Sequence, residues 1–431
     1  MSEHARLATT ARHGDRRDDE MRRGLDACVH CGFCLPACPT YLALDDENDS
    51  PRGRLVLMRA LLDGAVAADD ADVHRHLDQC LGCRGCETAC PSGVPYGRLL
   101  EATRERQREV APLPFVARVV LAVFAREWLL PPALLAARAL RALGLAGLAA
   151  RFGPRALRPS AAMLATTARD SVADYEPRGD GSRGRTALLS GCVMEGLMPS
   201  LNRATERVLV ENDYRIVDAP DQVCCGALHA HAGDADTARE LARRNIAAFE
   251  ASGAEFIAMN SAGCGAMCRE YAHLLADDPA WAARAAAFSA KVRDASELLA
   301  AAGPKPSPTV AAPIPVAWDA PCHLQHAQRV VEPPLQLLRA IGSLRVVPLE
   351  DSAQCCGSAG IYGLLQPEVA GRVLSPKLAR IHESGAAVVA TANPGCLMQI
   401  GAGLLVEGSA VQARHPIELL DAAYARARRT D

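Results

Sequence analysis

Hydrophobic residues near the start of the chain recur at helical spacing. Leu55, Met58 and Leu62 fall at i, i+3 and i+7, which places them on one face of an amphipathic helix. Ser50-Pro51 supplies an N-cap followed by proline at the first helical position, and Gly64 supplies a C-terminal stop. The N-terminal part of the chain is therefore predicted to be helical.

Short apolar runs typical of buried strands replace this spacing in the second half of the chain. Each run that we interpret as a strand precedes a cysteine, and helical patterns such as Ala238, Leu241, Ala242 and Phe249 lie between the runs. Alternating strands and helices indicate parallel α/β units, which gather their ligands at the carboxyl ends of the strands. The predicted strands span residues 186–190, 255–260, 316–320 and 387–392.

The most apolar stretch, residues 114–150, raises the question of a membrane span. Arginines and Pro131-Pro132 interrupt it, and no run of 18 uncharged apolar residues remains. We expect helices packed between domains, with docking on a partner or on the bilayer face as the alternative. Residues 153–184 are rich in Pro, Gly and Arg and are predicted to form a linker, and the polar residues 1–20 a frayed leader.

Composition narrows the class of protein. A length of 431 residues with 49% apolar residues suggests several domains with sizeable cores. The net charge of −3 gives no electrostatic case for a nucleic-acid partner. Seventeen cysteines without a secretory signal indicate a reducing compartment in which the thiols serve as ligands. We expect a cytoplasmic protein without a transmembrane segment; a peripheral position on the inner face of the cell membrane is the alternative.

Two copies of one cysteine pattern carry the clearest chemical signal. Each copy has the form Cys-x2-Cys-x2-Cys-x3-Cys-Pro, which is typical of two-cluster ferredoxins, and in these the fourth cysteine ligates the other cluster. Zinc is the alternative, but zinc sites pair two cysteines, leave a spacer and then pair two again. The predicted ligands are Cys28, Cys31, Cys34 and Cys90 for the first [4Fe–4S] cluster, and Cys80, Cys83, Cys86 and Cys38 for the second.

An internal repeat supplies a second set of cysteines. Both copies contain Cys-Cys-Gly, and their cysteines recur at offsets of 130 to 132 residues. Adjacent cysteines suit a loop that offers two sulfurs to one metal centre, and the following glycine permits the tight backbone. Repetition of the whole set argues against plain buried thiols. The candidate ligands of a further iron–sulfur or zinc centre are Cys192, Cys224, Cys225 and Cys264 in one copy, and Cys322, Cys355, Cys356 and Cys396 in the other.

Other motifs are weaker. His229, His231 and His323 lie near cysteines and can tune a metal centre by hydrogen bonding, but none is predicted to be a ligand. A dinucleotide-type glycine pattern at residues 179–184 precedes a strand instead of following one, so we discard it.

Longer strings around these motifs resemble one known family, the iron–sulfur subunit of glycolate oxidase. The resemblance covers residues 24–428 in order. The repeat is also similar to that of heterodisulfide reductases and of the small subunit of anaerobic glycerol-3-phosphate dehydrogenase. The strings are CVHCGFCLPACPTY at 28–41, DSPRGRL at 49–55, HLDQCLGCRGCETACPSGVPYGRLL at 76–100, CCGALHAHAGD at 224–234 and HPIELLDAAY at 415–424.

This resemblance implies an oxidoreductase subunit that is not catalytic alone. Its partners would be FAD-containing glycolate oxidase subunits, which oxidise glycolate to glyoxylate. This chain, in which we recognise no flavin site, would take the electrons singly and pass them toward an acceptor such as quinone. The alternatives are the same role in a glycerol-3-phosphate or D-lactate dehydrogenase complex, and a heterodisulfide-reductase-like catalytic subunit.

The repeat departs from the heterodisulfide-reductase pattern at one cysteine in each copy. That pattern ends in Cys-x-x-Cys. Here the second of these two cysteines is replaced by Met267 after Cys264, and by Gln399 after Cys396. Cys268 lies one residue too late and is expected to be an idle thiol. A four-cysteine centre is therefore expected, rather than a five-cysteine one.

These patterns together predict a multidomain α plus α/β protein. A helical two-cluster ferredoxin domain at 1–110 is followed by a helical connection and linker at 111–184. Two repeated α/β Cys-Cys-Gly domains then occupy 185–305 and 306–431.

Overall fold

A computed structural model describes residues 17–155, 157–167, 175–305, 307 and 309–430. Contacts between residues divide the chain into two compact units. The first extends to Pro114 and includes Ala230–Asp234, and the second contains Phe115–His229 and the chain from Ala235 onward. The finer four-part division remains a prediction.

The first unit is helical, as predicted. Its α3 begins where the sequence indicates, because the side chain of Ser50 accepts a hydrogen bond from the backbone N–H of Gly53. Residues 17–20, predicted to belong to a frayed leader, are helical instead, and residues 1–16 of that leader lie outside the described residues. The helices are α1 (17–26), α2 (Pro39–Leu44), α3 (Pro51–Leu62), α4 (Ala71–Asp78), α5 (Gly85–Ala89) and α6 (Tyr96–Val110).

Side chains from three of these helices form the core of the first unit. Met58, Leu77 and Leu100 are almost completely buried in one apolar cluster. Arg104 of α6 donates hydrogen bonds to the carbonyl oxygens of Leu77 and Cys80. It thereby ties the helix to the second cysteine run.

Four short helices open the second unit. They are α7 (Phe115–Ala125), α8 (Leu130–Ala142), α9 (Leu145–Phe152) and α10 (Arg158–Ala165). The linker prediction is wrong at α10, where Pro159 near the N-terminus starts a helix that buries Ala162. None of the 13 residues of α8 is buried, although its Arg138 and Arg141 donate to backbone carbonyl oxygens of the first repeat.

No single helix in the described ranges is long and apolar enough to cross a membrane. The pair α7 and α8 meets the length and composition requirements only when taken together, and it bends by 110° at the break.

The first repeat is an α/β unit with a four-stranded parallel sheet in the order β2-β1-β3-β4. Its strands are β1 (Arg185–Leu188), β2 (Arg215–Ile216), β3 (Phe256–Met259) and β4 (Val292–Asp294). Its helices are α11 (Cys192–Leu197), α12 (Pro199–Glu211), α13 (Ala227–Ala232), α14 (Ala235–Ser252), α15 (Ala262–Leu274), α16 (Ala282–Lys291) and α17 (Ala295–Ala302).

The second repeat has the same topology, with the parallel order β6-β5-β7-β8. Its strands are β5 (Ile314–Trp318), β6 (Leu344–Val347), β7 (Val388–Ala390) and β8 (Gln412–Arg414). Its helices are α18 (Glu332–Arg339), α19 (Tyr362–Leu365), α20 (Pro367–Glu383), α21 (Pro394–Val406) and α22 (Pro416–Thr430), with one π-helical turn at His323–Ala327. The predicted α plus α/β class is confirmed.

One apolar cluster joins the two repeats. It contains buried residues of α12 and α17 from the first repeat and of α18 and α22 from the second. Arg207 of α12 also pairs with Asp421 of α22 at 2.6 Å. The repeats therefore fold around a shared core.

Candidate functional site

The first cysteine run curls around a surface cavity. Cys28, Cys31 and Cys34 line it from the loop before α2, and Cys90 lines it from the end of α5. Gly32 has a φ of 82°, a left-handed conformation that favours glycine and lets the loop turn sharply. Cys31 is exposed and the other three cysteines are half-buried, so this set of four thiols lies near the protein surface.

The second cysteine run lines another cavity, and its cysteines are more deeply buried than those of the first. Cys80, Cys83 and Cys86 surround the start of α5, and Cys38 reaches the same cavity from the N-cap of α2. Only Cys83 of these four is not buried. The structure thus brings each fourth cysteine to the cavity of the other run, although the assignment of these thiols as cluster ligands stays a prediction.

The spacing of the sulfurs bears on which group they can hold. A tetrahedral zinc with Zn–S bonds of about 2.3 Å would hold all four sulfurs roughly 3.8 Å apart. Among the described residues, no three cysteine sulfurs lie within 4.8 Å of one another. The eight thiols of the two cysteine runs in the first unit therefore fit a larger inorganic group better than a single zinc ion.

A buried arginine lies against the second cavity. The guanidinium of Arg54 is fully buried, pairs with Asp49 at 3.0 Å and donates to the carbonyl oxygen of His76. Burial alone lowers the pKa of Arg54, but the negative charges of Cys80 and its neighbours raise it overall. Cys38 feels this cation, which opposes the rise in the pKa of Cys38 that burial causes.

Arg54 is not among the residues predicted from the sequence. The string around it predicts only the start of α3 and part of a family resemblance. Two arginines in one helical turn, one of them on the buried face beside Leu55, were the available signal.

The first Cys-Cys-Gly copy brings its four cysteines together at the carboxyl ends of the strands. Cys192 begins α11, Cys264 lies in the first turn of α15, and Cys224 and Cys225 lie in the loop between β2 and α13. The sulfurs of Cys192 and Cys224 are 3.6 Å apart. Gly226 permits the turn, because its φ is 84° and an added Cβ would lie 3.3 Å from the backbone of α14.

Hydrogen bonds between these sulfurs shift the pKa values of the two partners in opposite directions. The bond between Cys192 and Cys224 raises the pKa of the former and holds that of the latter well below its usual range. The bond between Cys225 and Cys264 likewise lowers the pKa of Cys264. Two of the four sulfurs are thus predisposed to be thiolates, the form that binds metals.

The second copy repeats this arrangement. Cys322 Sγ lies 4.0 Å from Cys355 Sγ, and Gly357 donates its backbone N–H to the latter at 3.4 Å. Cys396 hydrogen-bonds with Cys356, an interaction that, with burial, raises the pKa of Cys396. The structure therefore gathers all four predicted cysteines in each copy.

The surroundings of the two copies differ in charge. In the second copy, Asp319 pairs with Lys377 at 2.9 Å, with both side chains only 2% exposed. The backbone N–H of Asp319 donates to Ala390, and that of Leu189 donates to Ala258 in the same way, so Leu189 is its counterpart in the first copy. The charged pair is thus particular to the second copy.

Lys377 was also missed in the sequence. Its ammonium donates to the carbonyl oxygens of Asp351 and Ser352 in the loop before Cys355. Its side chain is nearly fully buried, and its charge acts on Cys355 and Cys356. The available signal was its rarity, because the sequence contains only three lysines among 47 basic residues.

The three histidines that could tune a metal centre, and the extra thiol of Cys268, lie in different places. His229 is near enough to Cys224 to lower the pKa of that thiol, and His323 Nδ1 lies 3.6 Å from Cys322 Sγ. His231 instead contacts Glu101 within the first unit. Cys268 is buried one turn after Cys264, and burial with the charge of Cys264 raises its pKa.

Comparisons with known proteins agree with this organisation. A 4Fe-4S dicluster domain matches residues 24–94, and a cysteine-rich domain matches residues 186–269 and 316–401. "Probable glycolate oxidase iron-sulfur subunit" of Bacillus subtilis (strain 168) is 38% identical over 96% of this chain and 98% of its own length. The "Glycolate oxidase iron-sulfur subunit" of Escherichia coli (strain K12) is 36% identical over 93% and 94%. "Lactate utilization protein A" of Exiguobacterium sp. is 30% identical over 54% of this chain and 96% of its own length.

Proposed function

Because this chain belongs to the family of glycolate oxidase iron–sulfur subunits, we propose that it carries electrons from flavoprotein subunits that oxidise glycolate to glyoxylate. It is an electron-transfer subunit of an oxidoreductase complex, with iron–sulfur centres in its dicluster domain. The observation that carries the proposal is the pair of cavities in the first unit, each of which is lined by the four cysteines predicted for one cluster.

We propose Cys28, Cys31, Cys34 and Cys90 as ligands of one [4Fe–4S] cluster, and Cys80, Cys83, Cys86 and Cys38 as ligands of the other. Such clusters accept and release one electron at a time. The chain's own residues shape the two environments differently. The four cysteines of the first site are exposed or half-buried, whereas three of the four at the second site are buried beside the Arg54 cation.

A third centre is proposed for the Cys-Cys-Gly repeat. The second copy is the better candidate, because Pro321 and Pro394 stiffen the backbone beside its cysteines and Lys377 offsets the charge of thiolates. Replacing Cys322, Cys355, Cys356 and Cys396 by serine should remove metal beyond the two ferredoxin-type clusters. Unchanged metal content and activity would show that these residues are buried thiols of the core and not metal ligands.

The electron balance of the complex is simple. Oxidation of glycolate to glyoxylate releases two electrons and two protons at the flavin of the partner. The electrons pass singly through this chain, and a quinone takes up two electrons and two protons to become a quinol. We propose a quinone as the acceptor and the inner face of the cell membrane as the place of action, because quinones dissolve in the bilayer.

Lactate is the second candidate substrate of the partner, since a lactate utilization protein matches 54% of this chain. The glycolate relatives favour glycolate, because they match more than nine tenths of the chain at higher identity. A glycerol-3-phosphate partner, or catalysis of disulfide reduction by this chain, has less support.

Reconstitution tests the proposal. The anaerobically purified chain, mixed with the flavoprotein subunits of its own complex, should reduce a quinone analogue with glycolate as donor. D-Lactate and glycerol 3-phosphate serve as matched controls, and omission of either component should stop the reaction. Faster reduction with either control donor would identify that donor, and not glycolate, as the substrate of the complex. Equal activity without this chain would overturn its electron-transfer role.

A further inference from the structure

Large apolar side chains project into solvent along the three consecutive helices α7, α8 and α9. Phe115, Trp128, Leu143 and Phe152 are 75, 72, 72 and 68% exposed. Single exposed apolar residues are ordinary, but a concentration of them marks an interaction surface. We call the solvent-facing side of residues 115–152 the apolar face.

The opposite sides of these helices are anchored within the second unit. Ala117 and Leu121 of α7 are buried, and Arg138 of α8 donates a hydrogen bond to the carbonyl oxygen of Glu195 at 3.0 Å. These contacts fix which side of each helix turns outward. The exposed leucines of α8 and α9 are therefore available to something outside this chain.

The polar residues of this segment are almost all arginines. Residues 115–159 contain seven arginines and one carboxylate, Glu127, and no Ser, Thr, Asn, Gln, Tyr, His, Lys or Asp. Glu127 pairs with Arg244, so its charge is compensated. Arg138 and Arg141 donate to backbone carbonyls, and the exposed arginines are Arg118, Arg126, Arg151, Arg155 and Arg158.

This composition distinguishes between two kinds of partner. Protein interfaces carry about one hydrogen bond per 100–200 Å², and their rim is polar. The segment offers no neutral polar side chain for that purpose. Arginine, by contrast, binds phosphate in a bidentate manner, and exposed tryptophan beside aliphatic side chains is typical of the boundary between lipid and water.

We propose that the apolar face binds the surface of a bilayer that contains anionic phospholipids. The bend of 110° between α7 and α8 suits helices that lie in the interface rather than cross it. Leucine, valine and aromatic side chains enter the acyl region, and the exposed arginines contact headgroup phosphates. This inference rests on the proposed function, because a membrane-dissolved quinone gives the docking its purpose.

Vesicle sedimentation with the full, cluster-loaded chain tests the proposal. Vesicles of phosphatidylcholine alone are compared with vesicles in which a quarter of the lipid is phosphatidylglycerol. We expect binding to the anionic vesicles that weakens with added salt, together with a blue shift in tryptophan fluorescence that is lost in Trp128→Phe. Equal binding to both vesicles would overturn the role of the arginines.

Two pairs of variants separate the surface from general effects. Trp128→Ser with Leu143→Ser should weaken binding at least about tenfold, because each removes a large apolar side chain from the acyl region. The matched control is Leu405→Ser with Val406→Ser, which alters exposed apolar residues elsewhere and should leave binding intact. Arg126→Gln should weaken binding to anionic vesicles about fivefold, and the exposed Arg372→Gln should not.

The outcomes also separate this inference from the proposed function. Glycolate-dependent dye reduction in vesicle-free solution reports only on the electron-transfer role of the wild-type chain. Activity without vesicle binding would refute bilayer binding by the apolar face but leave the electron-transfer role intact. Vesicle binding without activity would refute the electron-transfer role but leave bilayer binding intact. Cross-linking of Trp128 to a flavoprotein subunit, with no vesicle binding, would show that the apolar face binds a protein and not a bilayer.

Discussion

The buried pair of Asp319 and Lys377 predicts a strong energetic coupling between two residues that lie far apart in the sequence. At 2.9 Å the attraction of the two charges amounts to about 6 kcal/mol at an effective dielectric constant of 20. Burial removes water from both charges and offsets much of this gain. Breaking such a pair on one side leaves an uncompensated charge and typically costs about 3–5 kcal/mol.

The first repeat indicates how to remove the pair without that cost. Leu189 occupies the position of Asp319 there and is buried at 2% exposure. We therefore expect Lys377→Met and Asp319→Leu each to lower the free energy of unfolding by about 3–5 kcal/mol. The double variant should lose less than either single variant, because an apolar pair can replace a buried ion pair at little cost.

Guanidinium unfolding of the four proteins of this double-mutant cycle measures the coupling. Trp318 is buried beside Asp319 and reports on the second repeat, once Trp128 and Trp281 have been replaced by phenylalanine. The control cycle uses the exposed pair Glu332 and Arg339, for which we expect less than about 1 kcal/mol. A coupling no larger than that of the control would refute the argument.

Three further predictions concern the clusters and the pH dependence of stability. Cys38→Ser and Cys90→Ser should each damage the cluster held mainly by the other cysteine run; if each instead loses the cluster of its own run, the crossover is wrong. Arg54→Met should lower the midpoint potential of the second cluster by on the order of 60 mV in an EPR-monitored titration, since a buried cation favours the reduced form. Arg54→Lys keeps the charge and should retain the potential, and equal potentials in both variants would exclude an electrostatic role. Burial raises the pKa of Asp294 to about 6, so the folded state holds its proton more tightly than the unfolded state does. The resulting stability, present at pH 4, is lost as the pH rises through 6. The free energy of unfolding relative to Asp294→Asn should therefore fall by roughly 2 kcal/mol between pH 4 and 7, and a constant difference would contradict this.

Much of the architecture could be predicted because its signals are local. Strands such as β1 and β3 appear in the sequence as short apolar runs before a cysteine, and the start of α3 follows from Ser50 and Pro51. The gathering of the repeat's cysteines followed from the rule that parallel strands end at one edge. These predictions need only a few neighbouring residues.

What the sequence did not disclose depends on contacts between distant positions. Asp319 and Lys377 are 58 residues apart, and neither has a local pattern that indicates burial. Arg54 is polar and would ordinarily be placed in solvent, but carbonyl oxygens and Asp49 surround it. The helices at 115–152 were expected to be covered because they are apolar, whereas composition alone cannot say which of their sides faces solvent.

The core shared by the two repeats has a consequence for synthesis on the ribosome. Helix α12 of the first repeat packs against α22. Arg207 of α12 pairs with Asp421 of α22, which lies 214 residues later in the sequence. The N-terminal part of a chain leaves the ribosome first. The apolar surface of the first repeat that packs against α22 therefore stays exposed until the second repeat has been translated. We infer that the two repeats acquire their final stability together, and that a nascent chain lacking α22 depends on chaperones to avoid aggregation.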